Sequence, residues 1–112
     1  ETIEYAVKRE TREEVHVVVN DIHKCAELAF TFPHNESWNQ LVHVYFAFSW
    51  EGDPLESEEM KPYWFSVNDI PFKEMWPDDI YWLPNVLQGK YVKGAFTFGE
   101  GDVILDKFVE VI

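Results

Sequence analysis

Glu10, Glu13 and Glu14 stand three and four residues apart in the run Arg9-Glu10-Thr11-Arg12-Glu13-Glu14. On an α-helix that spacing sets side chains on one face. Three carboxylates on one rigid face pack poorly, and they suit a hard divalent cation. Mg²⁺ takes oxygen ligands and is usually held by a few carboxylates together with substrate phosphates. A solvated acidic helix fits the same composition, so both readings stand at this point. The other groups able to do chemistry are scattered. His16, His23, His34 and His43 show neither metal-ligand spacing nor a nucleophilic partner, and Cys25 has no catalytic companion.

The elements that must carry these residues follow from periodicity. Residues 2–15 lack Gly and Pro and are rich in helix formers, which predicts a helix with Thr2 near its N-cap and Ile3, Ala6 and Val7 as its buried stripe. Residues 25–32 and 41–50 alternate or are β-branched and aromatic, and read as strands, as do 61–67. Pro33-His34-Asn35-Glu36-Ser37 is loop chemistry between the first two, and Glu51-Gly52-Asp53-Pro54 is a turn. Asn68-Asp69-Ile70-Pro71 opens a short helix with Phe72 and Met75 on one face. A second helix spans 78–87, with Asp78 as N-cap, Asp79 in the first turn and Gly89 at its end. Residues 91–98 and 103–111 form a hairpin around Gly99-Glu100-Gly101-Asp102. The tetrapeptide Ala-Phe-Thr-Phe occurs twice, at 29–32 and 95–98, each time placing two aromatics on one strand face. The order α, β, β, β, α, α, β, β predicts a mixed sheet packed against helices.

Composition narrows the partners. A chain of 112 residues makes one domain, 1–112, and with 46% hydrophobic residues it can bury a core. A net charge of −12 argues against a nucleic-acid polymer, whose phosphates demand Lys and Arg. A small phosphate compound is compatible only if a metal ion inverts the local charge. The single cysteine makes a reducing compartment, the cytoplasm, the expectation. No apolar run reaches membrane-spanning length, so no membrane partner is expected. The chain starts without Met on a helix-like segment, which leads us to expect that residues precede Glu1.

The opening run resembles the signature of the Nudix hydrolase family: Gly, five residues, Glu, seven residues, Arg-Glu-aliphatic-x-Glu-Glu-x-Gly-aliphatic. Glu1, Arg9, Glu10, Glu13, Glu14 and Val17 stand at the matching offsets. Thr11 replaces the aliphatic, His16 the closing Gly, and the leading Gly falls before Glu1. A helix exit that wants φ > 0 tolerates His less well than Gly, so strain or rearrangement is expected there. Glu56-Ser57-Glu58-Glu59-Met60-Lys61-Pro62, Ile70-Pro71-Phe72, Trp76-Pro77-Asp78-Asp79 and Tyr81-Trp82-Leu83-Pro84 are similar to the 8-oxo-dGTP diphosphatase branch of that family. The similarity runs over nearly the whole chain, and the Trp76-Pro77-Asp78-Asp79 block is its most branch-specific part.

The resemblance implies an α/β (α+β) Nudix fold, an α/β/α sandwich around a mixed sheet, whose N-terminal strands lie upstream of Glu1. It implies a pyrophosphohydrolase that cuts a small-molecule nucleoside triphosphate, such as 8-oxo-dGTP, into monophosphate and pyrophosphate. Glu10, Glu13, Glu14 and Glu59 would hold Mg²⁺, or Mn²⁺ in its place. Arg9 would orient the glutamates, Glu1 would brace Arg9, and Glu14 or Glu59 would take the proton from water. Asp78 and Asp79 would read the base, within walls formed by Trp76, Phe30, Phe32, Met60 and Phe98. Two adjacent carboxylates in an apolar site do not readily both ionise. One kept protonated donates a hydrogen bond to a purine edge while its neighbour accepts one. With its upstream residues the protein is expected to be a monomer, and without them poorly stable and weakly active. Thr11 and His16 motivate a rival, a non-catalytic nucleotide-binding or interaction protein on the same fold.

Overall fold

A computed structural model describes all 112 residues, Glu1 to Ile112. Helix α1 (Ile3–Val15) leads into strand β1 (Val18–Thr31), then β2 (Gln40–Glu51), helix α2 (Asp79–Leu87) and strands β3 (Val92–Phe98) and β4 (Ile104–Val111). The four strands form one mixed sheet in the order β2-β1-β3-β4. β1 runs parallel to β3, which runs antiparallel to β4. The chain clusters into two compact units. One comprises Glu1–Lys24 and Tyr45–Phe65, the other Cys25–Val44 and Ser66–Ile112.

In the first unit, α1 begins where Thr2 caps it. Its hydroxyl accepts from the Tyr5 backbone N–H at 3.1 Å, filling one of the donors a helix start leaves open. The helix ends at His16, whose φ of 64° and ψ of 29° lie in the left-handed region. Its N–H still closes on the Arg12 carbonyl at 3.0 Å. The closing Gly of the signature therefore marks a conformation that this chain keeps with a side chain on it. Close by, Gly52 sits at φ 95°, and a Cβ there would lie 3.2 Å from the His16 carbonyl oxygen. The Leu55 N–H then donates to the Val15 carbonyl at 2.9 Å and ties the following loop to the helix end.

Three expectations about this unit need correction. No residue of α1 is fully buried, and Ile3 is exposed; the apolar positions are too few and too diluted by charge to make a core stripe. β1 starts seven residues earlier than alternation indicated, because Asn20, Asp21, His23 and Lys24 hide the period and Asp21 takes a φ of 45° within it. The expected strand at 61–67 does not form. Tyr63, Trp64, Phe65 and Val67 have strand-forming side chains, but they are exposed and no neighbouring strand pairs with them. Strand preference is realised only where a ladder and a buried face exist.

The second unit holds the larger core. Leu28, Val86, Val92, Phe96 and Phe98 are its largest fully buried side chains. The twin tetrapeptides meet here. Ala29, Phe30 and Thr31 lie opposite Ala95, Phe96 and Thr97 in parallel register. Phe30 stacks on Phe96 at 5.9 Å and Phe32 on Phe98 at 5.5 Å, while the Thr31 and Thr97 hydroxyls bond at 3.1 Å. The short helix expected after Pro71 is a single 3-10 turn, Phe72–Glu74. The 78–87 helix is present, one residue shorter, with Pro84 inside it; its C-cap is Gln88, and Gly89 follows at φ 85°.

Candidate functional site

On α1 the signature residues are drawn together by Arg9. Its Nε and Nη2 grip both Glu1 oxygens, at 3.1 and 2.8 Å, in the two-point geometry a guanidinium offers a carboxylate. Nη1 bonds Glu13 at 3.0 Å, one helical turn on, and Nη2 lies 3.6 Å from Glu10. The hydrogen bond to Arg9 lowers the Glu1 carboxyl below its usual range, and the bonds to Glu1 and Glu13 raise the Arg9 guanidinium further. Arg9 is thus a permanent cation that fixes the heading of Glu13 and ties the residue before the helix to its second turn. Thr11, at the aliphatic position of the signature, turns its hydroxyl onto the Val7 carbonyl at 2.7 Å. It satisfies itself within the helix.

The donor set offered by α1 is all carboxylate, which matches a hard divalent cation. Glu10 and Glu13 are exposed and Glu14 is half-buried, all on the helix side that the spacing indicates. Their side chains do not close into a cage. No group of three or more His, Cys, Asp or Glu side chains comes together tightly enough to hold a metal ion. Arg9 is the physical reason for two of them, since it engages Glu13 and approaches Glu10. Glu59 lies in the loop after Gly52 within the same unit, its backbone N–H on the Ser57 hydroxyl at 3.3 Å. Met60, expected in the base pocket, is exposed in that loop, its N–H also on Ser57.

The second unit contains a cavity of about 380 Å³, within the range of small-ligand pockets. Phe30 of β1, Phe32 just after it, Phe98 of β3 and Trp76 line it. Trp76 is 55% exposed and meets Phe98 edge-on at 5.9 Å. Asp78 and Asp79 face the same cavity. Asp78 is 3% exposed. It precedes α2 at the N-cap position, yet its side chain caps nothing; instead it accepts from the Trp82 indole N–H at 2.8 Å. Asp79 is half-buried, and burial, reinforced by the neighbouring Asp78 charge, pushes its carboxyl up from 3.8 to about 6.

Sequence reasoning missed five lining residues: Leu28, Gln40, Val42, Val44 and Trp82. Most were signalled. Leu28 shares the strand period of Phe30 and Phe32, and Gln40, Val42 and Val44 are every second residue of β2. Trp82 lies four residues after Asp78, the spacing of helix-face neighbours.

Comparison with known proteins identifies the family to which the chain belongs. A family model described as NUDIX domain matches residues 1–86. A Danio rerio protein named oxidized purine nucleoside triphosphate hydrolase is 44% identical over 106 residues, 95% of this chain and 67% of its own length. The Mus musculus protein of that name is 44% identical over 105 residues, covering 94% of this chain and 67% of its own. The chain thus spans about two thirds of these relatives. The fold matches a crystal structure of a mutator MutT protein from Bacillus halodurans with a TM-score of 0.84, at 19% identity over 98% of this chain and 74% of that one.

Proposed function

Because the chain belongs to the NUDIX domain family, and is similar over nearly its whole length to proteins named oxidized purine nucleoside triphosphate hydrolase, we propose that it hydrolyses oxidised purine nucleoside triphosphates of the 8-oxo-dGTP kind. The products are the nucleoside monophosphate and pyrophosphate, and the activity clears damaged nucleotides from the pool, in our reading the pool of the cytoplasm. The observation that carries the substrate assignment is the acid pair in the aromatic cavity. Asp78 is buried and held by Trp82, while Asp79 keeps its proton well above the ordinary carboxylate range. A purine edge carries donors and acceptors side by side, and an acid–carboxylate pair presents the complementary pattern. Trp76, more than half exposed, lines the cavity and offers an aromatic side chain to the ring.

In the reaction a water oxygen forms a bond to phosphorus and the phosphoric anhydride bond breaks, with pyrophosphate leaving. The water proton goes to a carboxylate, for which Glu14 and Glu59 are our candidates. Arg9 keeps Glu13 headed in one direction, so that less ordering is needed when substrate arrives. Nudix hydrolases generally use divalent metal ions. We propose Mg²⁺, with Mn²⁺ able to replace it, held by Glu10, Glu13, Glu14 and Glu59; when bound, it neutralises charge growing on the phosphoryl oxygens.

The test is pyrophosphate release from a panel of oxidised and unoxidised purine triphosphates. Release with Mg²⁺, loss on chelation, and a fall of at least about 100-fold for Glu13→Gln and Glu14→Gln are expected. Release that survives both replacements overturns the assignment.

A further inference from the structure

The face of α1 turned away from Glu10 and Glu14 has a chemistry of its own. At 100° per residue, Lys8 and Arg12 each lie about 160° around the axis from Glu10. They are one turn apart. Arg9 draws in three carboxylates within 4 Å, but Lys8 and Arg12 form no ion pair at all. That is unusual in a chain where 21 acidic side chains face 9 basic ones. Like charges one helical turn apart repel.

These two cations border a solvent-open hollow of about 590 Å³, together with Tyr5, Arg9, Glu13 and His16. Arg9 is already engaged by Glu1 and Glu13, so the positive charge left to the hollow is that of Lys8 and Arg12, on a molecule of −12. His16 is brought to the hollow by its left-handed backbone at the helix end, and Tyr5 supplies an exposed ring and a hydroxyl.

We propose that this hollow is a second anion site, centred on Lys8 and Arg12 and bordering the glutamate face at Arg9 and Glu13, which takes a compound carrying a diphosphate unit. An arginine fork and a lysine point charge side by side are the common means of holding two adjacent phosphoryl groups. A hollow of this volume admits the phosphates with room beside the Tyr5 ring. Pyrophosphate and the polyphosphate tail of a nucleotide share that chemistry. The two cations that define the site, Lys8 and Arg12, lie outside the machinery assigned above, so their substitution tests the site apart from hydrolysis.

The experiment is titration calorimetry with inorganic pyrophosphate in one arm and ATP in the other. Chelator is present throughout, so that the glutamates have no metal and repel phosphate. Saturable binding is expected in at least one arm, weakening as salt is added. Lys8→Gln and Arg12→Gln should each lower affinity about tenfold, the size of a charge-assisted bond. Lys90→Gln, elsewhere in the chain, should leave it unchanged. Glutamine is a good helix former, and thermal melts of each variant verify that α1 persists. Tighter binding of ATP than of pyrophosphate identifies a nucleotide as occupant; equal binding identifies the diphosphate alone. Unchanged affinity in the Lys8/Arg12 double variant overturns the proposal. So does binding that needs Mg²⁺ and disappears in Glu13→Gln, or a poly-glutamate peptide that binds as tightly as pyrophosphate.

Discussion

Two adjacent carboxyl groups differ in the partners they meet. Asp78 is enclosed and spends an oxygen on the Trp82 indole, whereas Asp79 is half-buried beside it and holds a proton up to about pH 6. Since the folded carboxyl binds its proton more tightly than the unfolded one, stability should fall as pH rises from about 4 to about 6 and level off above that. Denaturant melts across that range should show the decline in the native chain and lose it in Asp79→Asn. Turnover should follow the same group. kcat/KM for an oxidised purine triphosphate is expected to drop as pH passes 6, and Asp79→Asn to lower it by about tenfold or more while removing that inflection. A pH profile unchanged by the substitution would remove Asp79 from base recognition. Arg9 is the other residue whose geometry matters more than its charge. Arg9→Lys keeps the cation but loses the two-point grip on Glu1. Activity should fall roughly 10- to 100-fold, with little change in melting temperature because the pairs are exposed.

At the scale of elements, α1 shows a helix retained with an unfavourable exit. A β-carbon at φ 64° is disfavoured, and glycine there removes the clash while giving back some unfolded-state entropy. His16→Gly should therefore raise unfolding free energy by about 0.5–1 kcal/mol, read from urea melts with an unchanged slope. A loss of stability would mean that the imidazole makes contacts worth more than the strain. The helix itself was legible because Thr2, the charged run and the absence of Gly and Pro all act locally. The strand at 61–67 was misread because aromatic residues record only a preference, and pairing depends on a partner far away in the sequence. Val18 to Lys24 was missed for the converse reason: the ladder imposes extension on Asn20, Asp21, His23 and Lys24, which hide the preference of the valines and Ile22. The acid pair and aromatic walls were legible from resemblance, and Leu28, Gln40, Val42 and Val44 follow once strand alternation is applied across a known pocket. That Arg9 would claim Glu13, leaving no closed acidic cage, could not be read from spacing. Spacing gives a shared face and says nothing of which neighbour each carboxylate reaches.

For the molecule as a whole, the charge of −12 sets the terms on which an anionic nucleotide is met. Like-charged partners repel at long range, and salt shortens that range to about 8 Å at physiological ionic strength. With Mg²⁺ saturating, kcat/KM for the triphosphate should rise as ionic strength goes from low to physiological, whereas binding at the Lys8–Arg12 hollow should fall. A turnover rate that falls with salt would mean that local positive charge outweighs the global field. The core carries a different kind of self-reference. Ala29-Phe30-Thr31 on β1 lies parallel and in register with Ala95-Phe96-Thr97 on β3, phenylalanine on phenylalanine and threonine on threonine. Identical strands stacked in that manner are the repeating unit of amyloid-like zippers. Each copy of the segment is therefore a ready template for the same segment in another molecule, and a chain caught half-open at high concentration meets a stranger that fits as well as its own partner. The contact that closes the core also sets a ceiling on how crowded the unfolding protein can become before chains exchange strands.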